Sequence, residues 1–256
     1  MNLWDKLFTT QISEPPQFEL HWYIGLLCLL ALTFYASYRF RDKVAYQRFI
    51  QILQSVQLIV LYSWYWGNLM PLSESLPFYH CRIAMFVMLL IPETSKYKQY
   101  FALLGTFGAT AALAYPLFDP YPFPHVTILS FIIGHVALLG NALLYLFRNY
   151  QPSLLNLKNV VVITFALNGL IWVVNLVVGG DYGFLNKPPL VGSFGQPLNY
   201  LLVSTVIVIA IRLTGKLVEN FLQQKSEEFI QEKIENDLLF FGFLRNKKEI
   251  VNVNFK

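Results

Sequence analysis

Charge is what this chain has least of. Asp, Glu, Lys and Arg make up 13% of its 256 residues, against about a quarter in soluble domains, and the mean hydropathy is +0.47. Acid is missing where it would be most expensive: none of the fifteen Asp and Glu lies within the long apolar runs. Proton- and sodium-driven carriers commonly use a buried carboxylate, and oxygen-rich metal sites need one, so both readings lose weight. Cysteine is scarce too. Cys28 and Cys81 sit in different apolar runs, which excludes a disulfide framework and a CxxC motif. No basic n-region followed by a small-residue cleavage site opens the chain, so the first span is expected to act as an uncleaved anchor.

Hydrophobic residues are abundant, at 55%. About 20 apolar residues cross a bilayer core, and the bilayer accepts only helices or a closed barrel. Unbroken apolar runs without alternation select helices. The expectation is an all-α, polytopic membrane protein with seven spans, at 21–38, 48–70, 76–91, 98–115, 126–147, 158–178 and 198–213. Residues 1–20 form an outer segment, and 214–256 a cytoplasmic amphipathic helix with Leu217, Phe221, Phe229, Ile234 and Leu238 at roughly helical spacing, then a loose tail from 241. Of the 19 Lys and Arg, sixteen fall in the loops and tail on one side of this arrangement. Two, Lys6 and Lys187, fall on the other, and Arg82 lies inside a span. The positive-inside rule then places the N-terminus outside and the C-terminus in the cytoplasm. The basic residues form no dedicated patch, which argues against nucleic acid. Trp22, Tyr23, Trp64, Tyr65 and Trp66 read as an interfacial belt. The Pro-rich stretch 116–125 reads as a stiff outer hairpin.

The polar residues inside the spans share a depth. With about 1.5 Å of rise per residue from level cytoplasmic ends, Cys81 and Asn168 lie about 15 Å up and His135 about 18 Å. Thr110 and Asn199 come out at roughly 18–20 Å and Tyr62 near 21 Å. The third span is short, and Pro77 suits a first helical position, which would sink His80, Cys81 and Arg82 to the same layer. Cys81 then lies in a first helical turn, where the helix dipole and Arg82 favour thiolate. Asn168 and Asn175 share a helix face. A thiolate near an imidazole is the core of nucleophilic acyl transfer: Cys81 would carry the acyl group, with His135 or His80 as general acid and base. Asn or Tyr donors would hold the oxyanion, and Arg82 would bind a lipid phosphate. Each residue also has a plainer reading. A buried cysteine is often a small hydrophobe, and His135 and the asparagines can serve helix–helix hydrogen bonds. No cofactor or metal is expected.

The string Leu76-Pro77-Phe78-Tyr79-His80-Cys81-Arg82-Ile83-Ala84-Met85-Phe86 resembles the Leu-Pro-x-His-x-Cys signature of the YwaF-like bacterial integral membrane family. Phe123-Pro124-His125, His135 and the stretch from Asn175 to Tyr182 with Asn186-Lys187-Pro188-Pro189 also match its pattern. The resemblance covers about residues 15–213. That family is grouped with the transmembrane protein 164 acyltransferases, which are similar to enzymes that move a fatty acyl chain between phospholipids through an acyl-cysteine. The resemblance implies Cys81 as nucleophile and His135 as base. The chain departs from the pattern at one place, with Tyr79 where the first His is expected and the imidazole at His80, which shifts the burden to His135.

The leading expectation is therefore a membrane acyltransferase acting on phospholipid or lysolipid, with Cys81, His135 and His80 catalytic. Arg82, Asn168, Asn175, Tyr62 and Asn199 would bind substrate. The alternatives are a non-enzymatic lipid or small-molecule binding or transport protein, and a structural subunit whose residues 214–240 recruit a cytoplasmic partner.

Overall fold

A computed structural model describes residues 2–16, 19–189 and 191–253, with side chains described as far as 234 except at 232. Among the described residues the regular structure is helical. In order come α1 (Leu3–Phe8), α2 (Leu20–Arg39), α3 (Val44–Gly67), α4 (Leu72–Ser75), α5 (His80–Leu90), α6 (Lys96–Ala114), α7 (Val126–Asn149), α8 (Leu157–Val178) and α9 (Leu198–Val253).

Polar side chains at the ends satisfy amides that a helix leaves unpaired. Asn2 and Asp5 form a reciprocal capping box on α1. Ser95 caps α6, and Asn156 accepts the Asn159 amide at 2.8 Å to cap α8. α8 stops at Gly179, whose φ of +69° is the left-handed turn that glycine adopts at least cost.

The chain divides into two compact units, residues 1–215 and from Lys216 onward. In the first, α7 is the central helix: it packs on α2, α3, α5 and α6, and most of it is buried. Small residues let neighbours approach closely. A Cβ at Gly140 would meet Ile50 of α3 at 3.1 Å, and one at Gly105 would meet Leu138 at 2.9 Å. α8 is joined to α6 by Tyr100 and Thr164, whose hydroxyls lie 2.8 Å apart, and to α9 by Tyr200, which donates to the Phe165 carbonyl at 2.9 Å.

Among the described residues four helices are long and apolar enough to cross a membrane: Leu20–Arg39, Val126–Asn149, Leu157–Val178 and Leu198–Gln231. The expected spans correspond in sequence to α2, α3, α5, α6, α7, α8 and the first part of α9. α3 has the length but carries four glutamines, at 47, 51, 54 and 57. The third is shorter than read: α5 has 11 residues, about 16 Å. Its start is also different. Pro77 lies outside the helix and Tyr79 is the cap. The reason is long-range: the Tyr182 hydroxyl accepts the Leu76 N–H at 2.7 Å and donates to the Leu72 carbonyl at 2.6 Å, which holds the segment before α5 extended. Of the aromatic belt, Trp64 and Tyr65 are buried while Trp66 is exposed.

In the second unit the helical backbone continues to Val253, where a loose tail was expected from 241. Residues 254–256, and the side chain of Leu238, lie outside the described residues. Leu217, Phe229 and Ile234 are exposed.

Candidate functional site

The first turn of α5 presents three side chains in three directions. The helical ladder opens with the Ile83 N–H bonded to the Tyr79 carbonyl at 3.0 Å, so His80, Cys81 and Arg82 occupy the turn whose amides have no partner within the helix. Cys81 faces α6. A Cβ at Gly108 would sit 2.8 Å from its sulfur, so this glycine makes the room the thiol occupies. One turn further along α5, the Met85 methyl lies 3.1 Å from where a Gly134 Cβ would be. Gly134 precedes His135, so α5 and α7 touch within a turn of each of the two residues.

His135 is held by its own helix. Its Nδ1 lies 2.6 Å from the Phe131 carbonyl. A carbonyl only accepts, so Nδ1 carries the proton and the Nε2 lone pair is left for another donor. The imidazole packs on Phe131 at 4.3 Å between ring centres, and Phe131 on Phe118 of the outer hairpin at 4.8 Å.

Arg82 points into an aromatic corner. Its guanidinium lies 5.7 and 5.5 Å from the ring centres of Tyr62 and Tyr65, in the range of cation–π attraction. Nη2 donates to the Tyr65 hydroxyl at 3.3 Å. Nη1, the Tyr62 hydroxyl and the hydroxyls of Thr106 and Thr110 are buried with no hydrogen-bond partner among the described residues. The charge of Arg82 acts on Tyr62, Tyr65 and His135 and is balanced by Asp119, from the hairpin between α6 and α7. Burial pushes the Asp119 carboxyl above the usual carboxylate range, while Arg82 and a hydrogen bond with Thr127 pull it back.

His80 turns the other way. Its Nε2 donates to Asn168 Oδ1 at 2.6 Å, and Asn168 Nδ2 donates to Ser204 at 2.9 Å, joining α5, α8 and α9. A Cβ at Gly183, where φ is +69°, would meet the imidazole at 2.8 Å. The remaining expected residues lie apart from the thiol. Asn175 spends both amide atoms on the backbone of Tyr182, at 2.8 and 2.9 Å. Asn199 accepts the Phe194 N–H at 2.9 Å and donates to the Asn186 carbonyl at 2.8 Å. Both fasten the connection between α8 and α9. Asp119, Tyr65, Gly108 and Ser204 enter the site without having been expected there. The sequence does not single out Asp119, since Glu14 and Glu93 also lie beside prolines in connecting segments. Among the described residues no three His, Cys, Asp or Glu converge as metal ligands.

The hairpin over this cluster is latched by His125, which is buried at the start of α7. Its Nδ1 accepts the Thr127 N–H at 3.3 Å, so Nε2 carries the proton and donates to the Thr9 carbonyl at 3.0 Å. The ring stacks on Tyr121 at 4.1 Å. The Ser13 N–H reaches the Pro120 carbonyl at 2.8 Å and Trp64 Nε1 reaches Phe8 at 3.1 Å, so residues 8–13 strap the hairpin down. Burial holds the His125 imidazole below its ordinary value of 6.5, opposed by the Thr9 carbonyl. The folded state thus binds fewer protons than the unfolded one. The latch is intact above about pH 6.5 and weakens as pH falls below it. Limited proteolysis within residues 8–13 is expected to be faster at pH 5 than at pH 7, and this difference is expected to vanish in His125→Phe.

These apolar helices and their interior polar cluster define a multi-pass helical membrane protein. The model of the TMEM164 family matches residues 12–217, and the chain belongs to that family. No curated protein and no solved structure matches it.

Proposed function

We propose that this protein is a lipid acyltransferase that works through an acyl-cysteine at Cys81. The reading rests on a thiol in the first turn of α5 and, on the adjoining helix α7, an imidazole whose Nδ1–H is tied to a carbonyl, leaving the Nε2 lone pair available. The sulfur attacks the ester carbonyl of a phospholipid as His135 Nε2 takes the thiol proton. The same proton goes to the departing lysolipid oxygen, and the thioester remains on Cys81. An acceptor lysolipid or envelope glycolipid then reverses these steps. Amides of the first α5 turn are aimed as oxyanion donors, and the free Nη1 of Arg82 is suited to a phosphate oxygen. His80, bound to Asn168, positions α5 in this scheme.

The reading includes the membrane arrangement. All seven apolar helices cross the bilayer, α5 as a half-length segment, with the N-terminus outside and the Lys- and Arg-rich loops in the cytoplasm of a bacterial cell. Residues 214–240 are available to a cytoplasmic partner. The distribution of basic residues supports this orientation.

The test is thioester trapping. Cells fed an alkyne fatty acid should yield purified protein labelled at Cys81, with the label released by neutral hydroxylamine and missing from Cys81→Ser. A wild-type protein without hydroxylamine-labile label, or a Cys81→Ser strain with an unchanged membrane lipid profile, refutes the assignment.

A further inference from the structure

At the opposite end of the bundle from Cys81, between α3 and α7, lies a recess of about 280 Å³, part of it open to solvent, walled by Gln47, Gln51, Glu93, Lys98, Asn141 and Arg148. Its enclosed part has room for about one water. Its fixed groups are already engaged: Lys98 donates to the Ile91 carbonyl at 2.8 Å, and Arg148 to Gln47 at 2.6 Å. Asn141 is not. It is 6% exposed, and its Nδ2 has no hydrogen-bond partner among the described residues.

Deeper still is Gln54, 0% exposed, with neither Oε1 nor Nε2 partnered among the described residues. It lies on the α3 face that meets α7. Ile50, one turn before it, packs against Gly140, and Gln57, three residues after it, packs against Gly134. Gln54 is therefore opposite the stretch between those glycines, one turn above Gln51 of the recess and within a turn of Asn141's level. Three amide atoms left dry at this depth would each cost a few kcal/mol, and buried polar groups are almost always satisfied by protein or by water.

We propose that the recess continues inward past Asn141 to Gln54 as a binding site for ordered water, so that solvent penetrates to the middle of the bundle from the Lys98–Arg148 end. It stops there. Gln57 accepts from Ser130 at 2.6 Å and reaches the Met85 sulfur at 3.5 Å, and Met85 closes on Gly134. The water site itself does not rest on the acyl-transfer reading.

The test uses silver ion, which is small enough to follow water and blocks thiols. In full-length protein carrying Cys28→Ser and Cys81→Ser, Gln54→Cys is compared with Leu138→Cys, a 0% exposed position of α7. Silver exposure in membrane vesicles is followed by denaturation and maleimide counting. Thiol chemistry needs the thiolate, which needs water, so Cys at 54 should be blocked at least about ten-fold faster than at 138, and only in vesicles exposing the Lys98 end. Equal rates overturn the proposal. Gln54→Leu provides an independent reading. Removing dry, unpartnered atoms would raise the melting temperature by several degrees, which also overturns it; removing watered ones leaves it unchanged or lower. Because Cys81 is absent from the labelling background, neither result depends on acyl transfer.

Discussion

Replacing His135 with asparagine is expected to leave a folded protein that retains its lipids but forms acyl-cysteine about 10²–10⁴-fold more slowly. The choice of asparagine follows from the geometry. Its amide nitrogen falls close to the position of Nδ1 and preserves the 2.6 Å bond to the Phe131 carbonyl. What it removes is Nε2, the atom assigned to take the thiol proton. Glutamine makes the converse change, since its nitrogen reaches the Nε2 position and abandons the carbonyl. The measurement is the rate of hydroxylamine-labile labelling in purified protein, with thermal unfolding recorded beside it. If His135→Asn labels at the wild-type rate, His135 is a structural histidine tied to its own helix and the base lies elsewhere. If His135→Gln unfolds early while His135→Asn does not, the bond to Phe131 is what the residue supplies.

The second large effect concerns Arg82. Arg82→Met removes a cation from among Tyr62, Tyr65 and Asp119 and leaves the carboxyl of Asp119 without its compensating charge. The two groups interact through space and not by direct contact, so each single variant is expected to lower the unfolding midpoint, by less than the loss of a contact ion pair would. Asp119→Asn alone should also destabilise, since it strands the guanidinium. The double variant, Arg82→Met with Asp119→Asn, should recover part of the loss, with a coupling of about 0.5–3 kcal/mol. Additive losses in a denaturation series would show that the two do not form an electrostatic unit. Activity separates the roles: a double variant restored in stability but still unable to turn over phospholipid assigns Arg82 to substrate.

The helices themselves were legible because the bilayer's demand is written locally. Apolar runs gave α2, α6, α7 and α8 to within two residues at each end. α5 was not legible in the same way. Pro77 has a real preference for a helix start, and only Tyr182, 106 residues away from Leu76, overrides it. The site divides along the same line. Cys81, Arg82 and His135 stand out because ionisable groups in an apolar run are costly, and cost is visible in sequence. Asp119 does not, because an acid in a loop looks solvated until the fold turns the loop inward. Asn175 and Asn199 show the reverse error: an amide in a span resembles a ligand for substrate, and its true acceptor is a loop backbone that no periodicity records. The bond from His80 to Asn168 joins α5 to α8, a partnership that the sequence could not name.

Tyr182 joins two regions that the chain keeps far apart. Its backbone is pinned to Asn175, and its phenol grips the segment from Leu72 to Leu76 that leads into α5. The segment after α8 and the approach to α5 are therefore fastened to each other through one side chain. A Tyr182→Phe substitution thus unties the turn that carries Cys81 from a stretch of chain about a hundred residues away while leaving both helices intact.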